Sequence, residues 1–258
     1  MDELKLSFNT ETLFPDKSIF ESMRLLNENG LKNIEFWSWH DKDLKLIKEM
    51  KDDYGMEVAS IVVKLESLVD PARREQIVEA VKQSAEAARY LDCRTMVHTV
   101  GFEVEGLSRE AMHQSLVEGL QSCIPVLEEY GVTTDIEPLN TKVDKKLSGY
   151  YLTTSEEAFD IVKKINHPLI KVCYDIYHVQ VMEGHVISRM QNNIHHIAHI
   201  QAAGNPGRQE LYIGELNYDH IFDAIKQTEY NGYVGMEYFP IHDPVADLKQ
   251  IHDKHHTG

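Results

Sequence analysis

Short apolar runs rich in β-branched residues alternate along the chain with longer segments whose apolar residues recur at helical spacing. The runs are Leu4–Phe8, Asn33–Trp37, Glu57–Val63, Thr95–Val100, Val132–Glu137, Ile170–Asp175, His196–Gln201 and Tyr233–Glu237. The amphipathic segments are Ser18–Asn29, Asp41–Tyr54, Arg73–Leu91, Arg109–Tyr130, Ser155–Ile165, His185–Asn193, Tyr218–Thr228 and Pro244–Lys254. Local signals support the helices. Ser155 with Glu156 and Glu157 puts a cap and negative charge at an N-terminus. Gly30, Gly55 and Gly131 stand where C-terminal caps belong. Eight β-then-α units in a chain of this length predict a single-domain α/β fold, a (β/α)8 barrel over residues 1–258. A doubly wound open sheet is the weaker alternative, because no GxGxxG follows the first strand and no P-loop occurs. No linker or low-complexity tract interrupts the alternation. The longest irregular stretch, Pro138–Leu152, follows the fifth strand and is expected to act as a lid.

Composition narrows the partners. Of 258 residues, 42% are hydrophobic and 26% charged, which excludes a disordered, collagenous or coiled-coil chain. A formal net charge of −16 disfavours a nucleic-acid partner, though one local cation can still reverse the field inside a cleft. Three widely spaced cysteines, Cys93, Cys123 and Cys173, form no disulfide framework, and Cys123 and Cys173 read as small core residues. They fit a reducing cytoplasm. MDELKLSFNT lacks the features of a signal peptide, and no run approaches the roughly 18 apolar residues of a spanning helix, so no membrane partner is expected. Ile251–Gly258, with three histidines, reads as a frayed end. Barrel helices often pair, leaving a homo-oligomer open.

The informative residues end the later strands: Glu137, Asp175, Gln201 and Glu237. In a barrel these ends converge on one face. Three carboxylates held together would repel and raise one another's pKa, and a divalent ion resolves that. An all-oxygen set favours Mg2+ or Mn2+ over Zn2+ and leaves positions open for a substrate. Taken singly, each of these residues reads more readily as a helix cap than as a catalytic group. Four in consecutive units point to chemistry. His178, one turn beyond Asp175, is either a second group at the mouth or a surface histidine. Arg208, in the GNPGR loop, is placed to grip a substrate oxygen or carboxylate, or is an exposed loop arginine. His199 shares the inward face with Gln201 and is a rival ligand, but reads better as a hydrogen-bonded core histidine. His98 closes the fourth strand, where it can line the pocket. Trp37 suits an apolar wall, with Phe8 and Trp39 as possible neighbours, and Glu35 reads as a buried structural carboxylate more than a substrate contact.

Several stretches resemble the xylose-isomerase-like TIM barrels, and within them the hydroxypyruvate isomerase branch. They are IEPLN at 136–140 with Gly149–Leu152, YDIYH at 174–178 with Gln180–Gly184, His199–Gln201 with Pro206–Arg208, GELNY at 214–218 and GMEYFP at 235–240. They cover the second half; in the first half only the β/α rhythm and Ile34–Trp37 match. The resemblance implies a metal on Glu137, Asp175, Gln201 and Glu237, with His178 and Arg208 on a small sugar or hydroxy-acid substrate. Gln201–Asn205 departs from the pattern by lacking an acidic residue before the P-G-R turn.

The chemistry expected is aldose–ketose isomerisation. A Lewis-acidic ion would stabilise an enediolate while Glu137 and Glu237 move the proton. Epimerisation of a ketose would use the same site. A dehydratase would keep the metal and the base. A DNA-repair nuclease would need a histidine-rich zinc cluster and a basic face, and a non-catalytic sugar-binding protein would show no turnover.

Overall fold

The computed structural model describes residues 4–255. Eight parallel strands close on themselves in sequence order: β1 (Lys5–Asn9), β2 (Asn33–Phe36), β3 (Glu57–Val62), β4 (Thr95–Thr99), β5 (Thr133–Glu137), β6 (Ile170–Asp175), β7 (Ile197–Ala202) and β8 (Tyr233–Met236). β1 pairs with both β2 and β8, which leaves no free edge. Each strand lies within one residue of the expected one at either end. This is the predicted (β/α)8 barrel, and the open-sheet alternative is excluded.

The outer layer consists of α1 (Thr10–Leu13), α2 (Ile19–Glu28), α3 (Leu44–Tyr54), α4 (Arg74–Tyr90), α5 (Arg109–Tyr130), α6 (Ser155–Ile165), α7 (Ile176–Met182), α8 (Val186–Asn192), α9 (Tyr218–Lys226) and α10 (Pro244–His255). Sequence chemistry sets their ends. Ser18 and Glu21 close a capping box on α2. Gly55 and Gly131 end α3 and α5 in the left-handed region, at φ 60° and 62°. The cap of α6 is Thr154, whose side chain accepts from the Glu157 amide at 3.3 Å; Ser155 is the first residue inside the helix. The expected frayed tail is helical as far as His255, which is buried with its ring 4.8 Å from that of Phe222. The rest of that stretch, 256–258, lies outside the described residues.

Two helices were not legible as periodic segments. α1 and α7 each begin directly at a strand end and are capped by the strand's last residue. Asn9 Oδ1 accepts from the Glu11 and Thr12 amides, and Asp175 Oδ1 accepts from those of Tyr177 and His178 at 2.7 and 3.3 Å. Four to seven residues are too few for a helical period to emerge.

The expected lid is fastened at both ends. The Leu139 amide bonds the Leu152 carbonyl at 3.0 Å. The Tyr150 hydroxyl donates to the Glu137 carbonyl at 2.9 Å and accepts from the Val100 amide at 2.8 Å. Only its tip, 141–149, reaches solvent.

Candidate functional site

The C-terminal ends of the strands open into a cavity of about 490 Å³ whose lining includes Trp37, Thr99, Glu137, His178, Arg208 and Glu237. Asp175 is not among the lining residues but touches two of them, His178 and Arg208. A register shift in β6 at Val172/Cys173 sets Asp175 opposite Gln201 on β7. Glu137, Asp175, Gln201 and Glu237 are all buried. Among the described residues, Glu137, Asp175 and His178 bring one ligand atom each within 4.8 Å of one another.

Burial and mutual repulsion dominate the electrostatics. The Glu137 carboxyl is pushed well above its usual range, by loss of water and then by Glu237 and Asp175. Glu237 is raised to about 7 by burial, against the pull of Arg208. The Arg208 guanidinium stands between two of the acids: Nη2 bonds the Glu237 carboxylate and lies 3.4 Å from Asp175 Oδ2. It packs over the rings of Tyr177 and Phe239 at 5.6 and 6.0 Å. Its backbone is held at φ 54°, uncommon for a residue with a Cβ, and its carbonyl accepts from the Phe239 amide at 2.8 Å. The loop therefore presents this side chain to the mouth; the exposed-arginine alternative does not hold.

Glu237 has two further donors. Trp37 Nε1 bonds Oε1 at 2.5 Å and Asn9 Nδ2 reaches it at 3.3 Å. Trp37, expected as an apolar wall, thus also orients a carboxylate. Asn9 was overlooked because the predicted first strand stops at Phe8; a polar residue closing an otherwise apolar run was the available signal.

One expectation changes on the structure. His98 does not line the cavity. It is buried with Nδ1 3.2 Å from Thr134 Oγ1, and burial lowers its pKa to about 4. Side chains alternate along a strand, so it is Thr99 that faces the mouth. Gln201 is engaged from below: its Oε1 accepts from Cys173 Sγ at 3.1 Å, and its amide bonds Glu35. A three-residue group at the mouth brings His178 beside Glu137 and Asp175. His178 is itself buried, which removes the surface alternative. Its Nδ1 receives the Asn140 backbone N–H at 2.9 Å, while its Nε2 is buried without a hydrogen-bond partner, 3.5 Å from Asp175 Oδ2.

One layer down, Glu35 accepts from Ser7 Oγ at 2.7 Å and contacts His199 Nε2 at 2.9 Å. Gly235 is required there, because a Cβ would collide with the Glu35 carboxylate. Glu35 and His199 are thus core groups, as their reading anticipated.

The donor set fits a divalent cation. Of the three buried carboxylates, Asp175 and Glu237 lie against one guanidinium, and crowding and burial push Glu137 and Glu237 toward their protonated forms.

The chain is similar to several known proteins along almost its whole length. The hydroxypyruvate isomerase of Escherichia coli (strain K12) is 29% identical over 263 residues, covering 95% of this chain and 97% of that one. A 2-oxo-tetronate isomerase of Haemophilus influenzae is 27% identical over 254 residues, covering 95% and 96%. Among solved structures, one described as an AP endonuclease, family 2, from Brucella melitensis superposes with a TM-score of 0.89 at 28% identity, covering 95% of this chain and 97% of that one. Residues 20–254 match the xylose isomerase-like TIM barrel, and the chain belongs to that family.

Proposed function

We propose that this chain is an isomerase that interconverts a small hydroxy-aldehyde and hydroxy-ketone, like the hydroxypyruvate isomerases it resembles along almost its whole length. The observation that carries this reading is the pair of buried glutamates, Glu137 at the end of β5 and Glu237 directly after β8, in one cavity, with the Glu237 carboxyl raised to about 7 and that of Glu137 pushed well above its usual range.

A divalent ion held by Glu137, Asp175, Gln201 and Glu237, Mg2+ or Mn2+ by the hardness of its donors, would supply Lewis-acid polarisation of the substrate carbonyl. The protein's own groups do the rest. Glu237, with its carboxyl raised to about 7, takes the proton from the carbon α to the carbonyl. The electron pair moves to the carbonyl oxygen, where Arg208 and His178 lie close enough to stabilise it. Glu137 exchanges the hydroxyl proton between the two oxygens. Return of the carbon-bound proton to the former carbonyl carbon completes isomerisation; return to the opposite face of the same carbon gives the epimer, the second reading of this site. Trp37 and Asn9 hold Glu237 in place throughout.

A nucleic-acid substrate is disfavoured by the net charge of −16 and by a candidate ligand group with a single histidine. No helix among the described residues is long and apolar enough to cross a membrane. All three cysteines are buried and free, which supports a reducing compartment, the cytoplasm.

The test is solvent exchange. Protein with Mn2+ or Mg2+ is offered short hydroxy-aldehydes and ketoses in D2O, and deuterium uptake is followed by NMR, with Glu237→Gln as control. Metal-dependent uptake that disappears in the variant is expected, and the labelled carbon separates isomerase from epimerase. Uptake that persists in Glu237→Gln, or its absence on every substrate with metal bound, overturns the reading.

A further inference from the structure

Asn140 lies three residues beyond Glu137, in the fixed part of the β5 loop, and is buried. Two of its donors converge on one atom of the neighbouring histidine. Its backbone N–H reaches His178 Nδ1 at 2.9 Å, and its side-chain Nδ2 lies 2.8 Å from the same nitrogen. The amide orientation is set independently, because its Oδ1 accepts from the Val143 backbone N–H at 3.2 Å. A backbone N–H can only donate, so Nδ1 must offer its lone pair. The ring proton is then on Nε2. That nitrogen is buried and has no hydrogen-bond partner, and His178 is one of the residues that line the cavity.

We propose that Asn140 is a positioning residue that locks His178 in the Nε2–H tautomer, making His178 a hydrogen-bond donor to a substrate oxygen and withdrawing it from metal ligation. Burial agrees, since it holds the imidazole neutral, with its pKa lowered to about 4. The consequence bears on the three-residue group at the mouth. Glu137 and Asp175 can give lone pairs to a cation, but a protonated Nε2 has none to give. An unpartnered buried donor costs stability until an acceptor arrives, and a substrate carbonyl or alkoxide oxygen is such an acceptor.

The inference about substrate rests on the isomerase reading; the tautomer does not, and the experiment reads the tautomer alone. Long-range 1H–15N correlation spectra of the 15N-labelled, substrate-free protein report each ring nitrogen, and the His178→Gln variant identifies the His178 signals. The expected result is an unprotonated Nδ1 and a protonated Nε2, both retained when Mg2+ is added to saturation. A protonated Nδ1, or loss of the Nε2 proton on adding Mg2+, overturns the proposal. In Asn140→Asp the side chain no longer donates while the backbone N–H still does, so Nδ1 is expected to stay unprotonated with its 15N signal shifted downfield by the loss of one hydrogen bond. Should that variant fail to fold, Asn140→Ala likewise leaves the backbone N–H as the single donor at Nδ1, and the same downfield shift is expected. Ring signals identical to wild type in the folded variant overturn the role of the Asn140 side chain. Failure of the isomerase reading would appear as absent solvent exchange with these spectra unchanged.

Discussion

The barrel holds two acidic layers, and they balance their charge differently. At the mouth, Arg208 pairs with Asp175 and Glu237, and its charge also acts on Glu137 beside them. Two residues deeper along the same strands, Asp135 and His199 lie with Glu35 from β2. In both layers burial drives carboxyls toward the neutral form. What brings one back is direct contact with donors and a cation. Glu35, touching His199 and Ser7, ends below its usual range, whereas Asp135, with neither oxygen hydrogen-bonded, rises to about 8. At the mouth Glu237 is raised to about 7, and Glu137 is pushed well above its usual range. The lower layer is closed: Gly235 gives up its side chain so that Glu35 fits. The upper layer opens onto the cavity, so a ligand can meet its surplus charge. The same imbalance is structural in one layer and available for chemistry in the other.

Replacing Arg208 should upset the mouth most. Arg208→Gln removes its cation while leaving the lower layer untouched. Turnover is expected to fall ~10²- to 10³-fold, the usual loss for a group that stabilises developing charge. Because Arg208 lowers the pKa of both glutamates, a 13C-NMR titration of the metal-free variant should find both carboxyls higher than in wild type. Carboxyl titrations unchanged by the substitution would mean that the guanidinium does not neutralise this layer.

A smaller effect is expected from Trp37→Phe, which keeps the ring and deletes the donor to Glu237. One lost hydrogen bond to a charged group corresponds to roughly a tenfold fall in turnover. The Glu237 carboxyl should rise, since the indole N–H favours its ionised form. An equal loss in Trp37→Phe and Trp37→Ala, with Glu237 unmoved, would restrict Trp37 to the wall role that its sequence suggested.

Much of this was legible in the chain. Alternation located eight strands, and the polar residue closing each of the last four named the acidic face. Partners across the barrel were not legible. Nothing near Arg208 in sequence reveals that it lies between Asp175 and Glu237, because the loop conformation that aims it depends on tertiary contacts such as the Phe239 amide. His98 was misplaced by one residue of strand register, enough to exchange cavity for core. Asn140 lay inside the IEPLN stretch without a role, since a loop asparagine more often serves a turn. Asp135 gave no signal, because an inward carboxylate below a catalytic layer follows the same alternation as any core residue.

Asp135 supplies the gentlest test of the comparison. In the folded protein it keeps its proton to about pH 8, against an ordinary value of 3.8 that the unfolded chain restores. Between those values the unfolded state binds one proton fewer than the native state. Wild-type stability should therefore fall as pH rises, at up to about 1.4 kcal/mol per pH unit, and the fall should stop above pH 8. Asp135→Asn has no such proton to lose. Its unfolding free energy minus that of wild type should grow from about pH 5 to 8 and then level, as measured by denaturant melts across that range. Of the three substitutions it should change turnover least, because Asp135 does not reach the cavity. Parallel stability curves for the two chains would mean that Asp135 is ionised in the fold, with a cation in the lower layer that compensates it as Arg208 does above.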